Sequence, residues 1–142
     1  MDKRKDISAA LLGVIVALIL WITVFGREVQ LGGKLFYPPF HSFGSIWKQI
    51  LRAGIRSNFL GNILLFVPVG VLLPVVTGWK RQTLIVGCSF SVLIELIQLI
   101  TRRGCFDPDD IILNSLGCLI GYGVWSVAWK LFTRNDLNAA GN

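Results

Sequence analysis

Residues 93–117 read LIELIQLITRRGCFDPDDIILNSLG, and the class of fold depends on how this stretch is taken. Glu95, Gln98, Arg102, Arg103, Asp107, Asp109, Asp110 and Asn114 stand inside or beside two runs that otherwise suit a lipid bilayer. An acidic side chain at the centre of a membrane helix is penalised by roughly 2.5–3.5 kcal/mol on insertion scales. Residues this costly mark either a contact between helices or a functional site.

The rest of the chain fits a membrane protein. Four apolar runs, at 7–25, 59–77, 83–100 and 111–129, reach the roughly 17–20 residues needed to cross the hydrocarbon region. Of the 142 residues, 54% are hydrophobic and 15% are charged, against about 25% charged in soluble domains. The expected architecture is all-α, an integral membrane bundle of four transmembrane helices forming one domain over residues 1–142. The first run follows a basic start, MDKRKD, yet exceeds a signal-peptide core and lacks a small-x-small cleavage site after it, so it reads as a retained anchor.

The connections differ in character. Residues 26–58 form a long loop in which Phe43, Ile46, Trp47, Ile50 and Leu51 recur at helical spacing, with Lys48 and Arg52 on another face. That pattern predicts a short amphipathic helix lying in the interface at about 42–55. In the second run Pro68 is expected to kink the helix, with Gly70 making the same point pliable and Pro74 near the end. In the fourth, Gly117 and Gly121 have the small-xxx-small spacing of close helix packing, within the chain or in a homo-oligomer.

A net charge of +6 raises the possibility of nucleic acid, but the basic residues form no continuous stripe and fit membrane phosphates instead. Cys88, Cys105 and Cys118 lack paired spacing and have no histidine nearby, which argues against zinc. With four spans, Lys and Arg divide seven to seven between the two sides. The compact cluster Lys3, Arg4 and Lys5 places the N-terminus in the cytoplasm.

Four spans also put the long loop and the acidic turn on one face of the membrane. Along the third run Cys88, Ser91, Glu95, Gln98 and Arg102 fall at intervals of three, four, three and four, which is one helical stripe. Asp107, Asp110, Asn114, Gly117 and Gly121 repeat the same intervals in the fourth. Asp107 before Pro108 is an N-cap with proline at the first helical position. Folding the two runs as a hairpin predicts Arg102 beside Asp107 and Asp110 near the surface, with Glu95 opposite Asn114 about two turns deeper and Asn62 at a similar depth. The result is a polar pocket, opening to the outer leaflet, that needs a partner, a water-filled cleft or protonation for Glu95.

Three chemistries fit such a pocket. Arg102, Arg103 and Arg56 suit a phosphate, and the carboxylates and amides suit sugar hydroxyls or amines, so a lipid or lipid-linked glycan headgroup is one ligand class. A membrane enzyme is a second: Asp107, Asp109 and Asp110 are hard oxygen ligands for magnesium or calcium, and Glu95, Asp107 and Asp110 are its catalytic candidates. A small oligomeric transporter, with Glu95 carrying the proton, is a third. A structural reading competes with all three, in which Asp107 only caps, Asp109 and Asp110 only favour the helix N-terminus, Arg102 clamps the hairpin, and Asn62 and Asn114 bind helices together.

Three segments together resemble the VanZ-like family of bacterial membrane proteins: YPPFHSF at 37–43, NFLGNILLFVPVGVLLP at 58–74, and SFSVLIELIQLITRRGCFDPDDIILNSLGCLIGYG at 89–123. They carry the asparagines and PxG of one helix, the E-x-x-Q of the next, an arginine soon after, and the D-x-D-D-x-x-x-N-x-x-G that opens the last. The resemblance implies a multi-pass protein of the bacterial cytoplasmic membrane and points to Asn62, Glu95, Gln98, Arg102, Asp107, Asp109, Asp110 and Asn114. The family is named for an accessory protein of glycopeptide resistance clusters that lowers susceptibility to teicoplanin. A contribution to glycopeptide tolerance, acting outside the cell, is therefore implied.

Overall fold

The computed structural model describes residues 3–29, 31, 35–40, 58–78 and 82–140. Helix α1 (Lys3–Leu20) continues directly into a widened π turn, Trp21–Phe25. Helices α2 (Asn58–Thr77), α3 (Thr83–Thr101) and α4 (Pro108–Ala140) follow. All four are long and apolar enough to cross a membrane. Their bounds match the expected runs closely, except that α4 continues well past residue 129. The sequence KLFTRNDLNAA holds neither proline nor glycine, so nothing stops the helix there. At 33 residues α4 is about 50 Å long and outreaches a ~30 Å hydrocarbon core. The expected interfacial helix at 42–55 lies outside the described residues, as does Arg56.

Helix α2 is the hub of the bundle. It packs against each of the other three helices, most extensively against α4. Glycines allow that approach. A Cβ at Gly117 would overlap the carbonyl of Ile63, one at Gly121 the carbonyl of Val67, and one at Gly70 the carbonyl of Cys118. Without side chains at these positions the two backbones touch and gain dispersion contacts over a long seam.

Gly117 and Gly121 are both buried against α2 of their own chain, the within-chain form of the close packing expected from their spacing. Gly70 is the matching contact point for α4, and α2 runs as one helix through Pro68 and Pro74. Cys118 keys three helices together: its carbonyl meets Gly70 of α2 and its thiol faces Gly87 of α3.

The apolar core joins α1, α2 and α3. Ile19, Val24, Phe66, Val69 and Ile94 are buried together, and the Phe66 and Phe90 rings stand 5.8 Å apart. The far side of α1, with Ile7, Leu11, Val14 and Leu18, is exposed and suits lipid. At one end of the bundle the Arg4 guanidinium lies 6.0 Å from the Phe132 ring, so the start of α1 and the late part of α4 share a membrane face. The end of α1, the start of α2, the end of α3 and the start of α4 then share the other.

Candidate functional site

The site begins with the way α3 ends. Arg102 adopts a left-handed backbone (φ 54°), its N–H donates to the carbonyl of Leu99, and the N–H of Arg103 reaches back to the carbonyl of Gln98 at 3.0 Å. This is a Schellman closure, usually made with glycine at the left-handed position. It turns the chain so that 103–107 fold back along α3. The hairpin expected from the sequence is present, but its register differs by about one turn.

Because of the fold-back, the backbone N–H of Asp107 donates to Glu95 Oε2 at 2.7 Å. Glu95 is 1% exposed and also feels the charges of Asp110, Asp107 and Arg27. It therefore faces the start of α4 and not Asn114. Asn114 instead donates from Nδ2 to the Ser91 hydroxyl at 2.8 Å, one turn deeper. Asn62 of α2 donates from Nδ2 to Asp110 Oδ1 at 2.5 Å. The polar stripe of α4 is thus divided between two neighbours, Asp110 going to α2 and Asn114 to α3.

The other two aspartates act on backbone. Asp107 accepts the N–H of Asp109 at 3.0 Å, the N-cap its sequence context predicts. Asp109 is fully buried, and its Oδ1 accepts the N–H of Phe40 at 2.6 Å. That bond pins a strap of the long loop across the α3–α4 turn. In the strap the Tyr37 N–H donates to the Phe106 carbonyl at 3.1 Å, and the Phe106 N–H to the Leu35 carbonyl at 3.0 Å. The Phe36 and Phe106 rings stack at 6.0 Å, nearly parallel. The acidic turn is thereby roofed by aromatic side chains on the membrane face.

The π turn at the end of α1 supplies the last wall. The last carbonyls of a helix lack intrahelical partners, and side chains at the α3 end take up those of Thr23, Phe25 and, just beyond the helix, Arg27. Gln98 Nε2 donates to the Thr23 carbonyl at 3.1 Å, and Arg103 Nη1 donates to the carbonyls of Phe25 (3.0 Å) and Arg27 (2.9 Å). Arg27 Nη1 in turn lies 3.4 Å from Gln98 Oε1. Gly104 makes the room: a Cβ there would press on both Gln98 and Arg27.

Of the side chains expected at the site, Asn62, Glu95, Gln98, Arg103, Asp107, Asp109, Asp110 and Asn114 all join this network. Arg102 does not reach it as expected, because its left-handed cap leaves the side chain exposed. The magnesium or calcium site expected on Asp107, Asp109 and Asp110 is also not formed. The three carboxylates are bonded to separate partners, and no group of three or more metal-binding side chains converges among the described residues. Sequence reasoning missed Arg27, which merely follows the first apolar run, and the strap residues Phe36 and Phe40. The prolines and aromatics of YPPF were the available signal for a docked segment.

Chemically the network offers carboxylate acceptors around Glu95 and guanidinium donors on its α1 side. The first group suits hydroxyls and amines, the second suits phosphate.

Comparison with known proteins points the same way as the architecture. The family model described as VanZ/LLP1 matches residues 8–130. Protein VanZ of Enterococcus faecium is 23% identical over 138 residues, covering 94% of this chain and 83% of that protein. No solved structure matches the chain. With a match that runs from the first membrane-crossing helix into the last, the chain belongs to the VanZ/LLP1 family.

Proposed function

We propose that the polar network binds the headgroup of an envelope lipid or of a lipid-linked cell-wall precursor, from the outer leaflet. The observation that carries this reading is Glu95, buried in a membrane-crossing helix and bonded to a backbone N–H. A hydrogen bond contributes about 0.5–3 kcal/mol, the upper half of that range when the acceptor is charged, whereas the insertion penalty of an acidic side chain at a helix centre is roughly 2.5–3.5 kcal/mol. On these figures the bond roughly offsets the cost and leaves no net stabilisation. A leucine would fold the hairpin as well, so the carboxylate is explained by what it binds.

The ligand class follows from the charges. Phosphate takes the Arg27 and Arg103 side of the network, and hydroxyls or amines take the side of Glu95 and Asp110. The strap roofs the turn on the membrane face, so the headgroup enters laterally, with its chain in the bilayer. Holding such a precursor changes its exposure at the outer surface, which is where the glycopeptide tolerance implied by family membership acts.

The test is the lipid retained on extraction into detergent-free lipid particles, identified by mass spectrometry. Wild type is expected to retain one phosphate-bearing lipid or lipid-linked glycan in stoichiometric amount. Glu95→Gln is expected to lose it while the thermal midpoint moves only a few degrees. If both proteins carry lipids in the proportions of the bulk membrane, the reading fails.

A further inference from the structure

Arg27 and Arg103 are tied to one another's segments and to no carboxylate. Arg103 Nη1 donates to the carbonyls of Phe25 and Arg27, and Arg27 Nη1 lies against Gln98 Oε1, beside Gly104. Each arginine follows a membrane-crossing segment by two residues, one ending at Phe25 and the other at Thr101, which puts both in the headgroup layer. Among the described residues neither takes part in an ion pair. Glu28, next to Arg27 in the chain, is exposed, and Glu95 feels the Arg27 charge while bonding to the Asp107 N–H instead. Two half-buried positive charges therefore share one junction, held there by carbonyl and amide oxygens. The dipoles at the end of α1 offset part of their repulsion, and an anion between them removes more.

The anchoring uses the same nitrogen in both residues. Nη1 carries all the bonds, and the Nε–Nη2 edge of each guanidinium makes none among the described residues. That edge presents two parallel N–H groups, the fork that takes two oxygens of one phosphoryl group at once. Gln98 sets the anchor of Arg27. Its Nε2 donates to the Thr23 carbonyl, which can only accept, and this turns Oε1 toward Arg27.

Two forks call for four acceptor oxygens. A phosphodiester, the linkage of bulk membrane phospholipids, has two unesterified oxygens and one negative charge. A diphosphate diester has four such oxygens, two on each phosphorus, and two negative charges. Both the oxygens and the charge match the second linkage and not the first. Resting on the headgroup reading above, we infer that Arg27 and Arg103 form a diphosphate clamp, so that the ligand is a lipid joined to its polar head through a diphosphate and not a glycerophospholipid. Each guanidinium takes one phosphoryl group side-on. Lysine at either position would keep the charge and lose the fork.

The test uses the full chain in vesicles of phosphatidylcholine, which supply phosphodiester in large excess. Three isoprenyl competitors of one chain length end in an alcohol, in a sugar phosphodiester, and in the same sugar joined through a diphosphate. Each competes with a diazirine-bearing isoprenyl diphosphate sugar, whose cross-linking to the protein is read by mass spectrometry. The diphosphate is expected to compete at about tenfold lower concentration than the phosphodiester, one fork being the difference. Arg103→Lys and Arg27→Lys are each expected to bring the two to within about twofold. Arg102→Lys, at an exposed side chain, is expected to leave the preference intact.

Equal competition by diphosphate and phosphodiester in wild type overturns the inference, as does a preference that the lysine variants retain. Should Arg103→Lys fail to insert, Arg27→Lys decides alone. If the diphosphate does not bind while wild type still retains one phospholipid in stoichiometric amount, the clamp is overturned and the headgroup reading stands. A diphosphate preference with affinity undiminished in Glu95→Gln supports the clamp and removes Glu95 from the headgroup reading. Inorganic diphosphate competing as strongly as the lipid-linked form would keep the forks but overturn the lipid-linked ligand.

Discussion

Arg102 holds a backbone conformation that costs a non-glycine residue about 1–2 kcal/mol, and its side chain is exposed. Arg102→Gly is therefore expected to keep or raise the thermal midpoint, by up to a few degrees for a chain of this size. If it unfolds the protein instead, the arginine side chain stabilises the hairpin in a way its position does not explain. Glu95 supports the opposite kind of experiment. Glu95→Leu abolishes the acceptor for Asp107 N–H, at a cost of about 1–3 kcal/mol, but relieves a burial penalty of similar size. The expected outcome is a midpoint within a few degrees of wild type together with loss of the retained lipid. A collapse of the fold would assign Glu95 a structural role. The spacing of polar residues already singled out Glu95, because its cost is a property of the residue and its run. The partner was misjudged, since intervals along two helices do not fix how far one slides past the other.

At the scale of elements, the seam between α2 and α4 carries the tightest packing. Gly121→Val drives two methyl groups into the Val67 carbonyl region and is expected to destabilise by at least about 1–3 kcal/mol, read as a lowered thermal midpoint. Gly123→Ala, two residues on and with open space around it, is the control expected to leave the midpoint nearly unchanged. Equal effects of the two would mean the seam is looser than its geometry. The small-xxx-small spacing announced that α4 would be approached closely, but not by which helix. The partner is α2 because Gly70 offers a matching gap, and no rule of spacing within α4 contains that fact. The strap at 35–40 was hidden for a similar reason. Its anchor, Asp109, looks like any acidic residue in the first turn of a helix until Phe40 is seen on it.

For the whole molecule, the arrangement places the network, the strap and Cys105 on one membrane face, with Cys88 and Cys118 inside membrane-crossing helices. With the N-terminus in the cytoplasm, a membrane-impermeant maleimide added outside intact cells is expected to label Cys105, and Cys105→Ser is expected to abolish the signal. Labelling seen only after the inner face is opened would invert the orientation and move the proposed headgroup site to the inner leaflet. What the sequence determined by itself is the membrane class, the four crossings and the set of polar residues gathered at one face, since each depends on hydropathy and spacing along a single chain. Only the tertiary structure decided which of those residues meet. The left-handed turn at Arg102 set the register of the hairpin, the glycine seam chose α2 as the hub, and the end of α1 presented the carbonyls of Thr23, Phe25 and Arg27 to Gln98 and Arg103. The seam and the bonds of Gln98 and Arg103 to the end of α1 are contacts between segments distant in the chain, fixed by steric fit and by the need to pair backbone groups away from water.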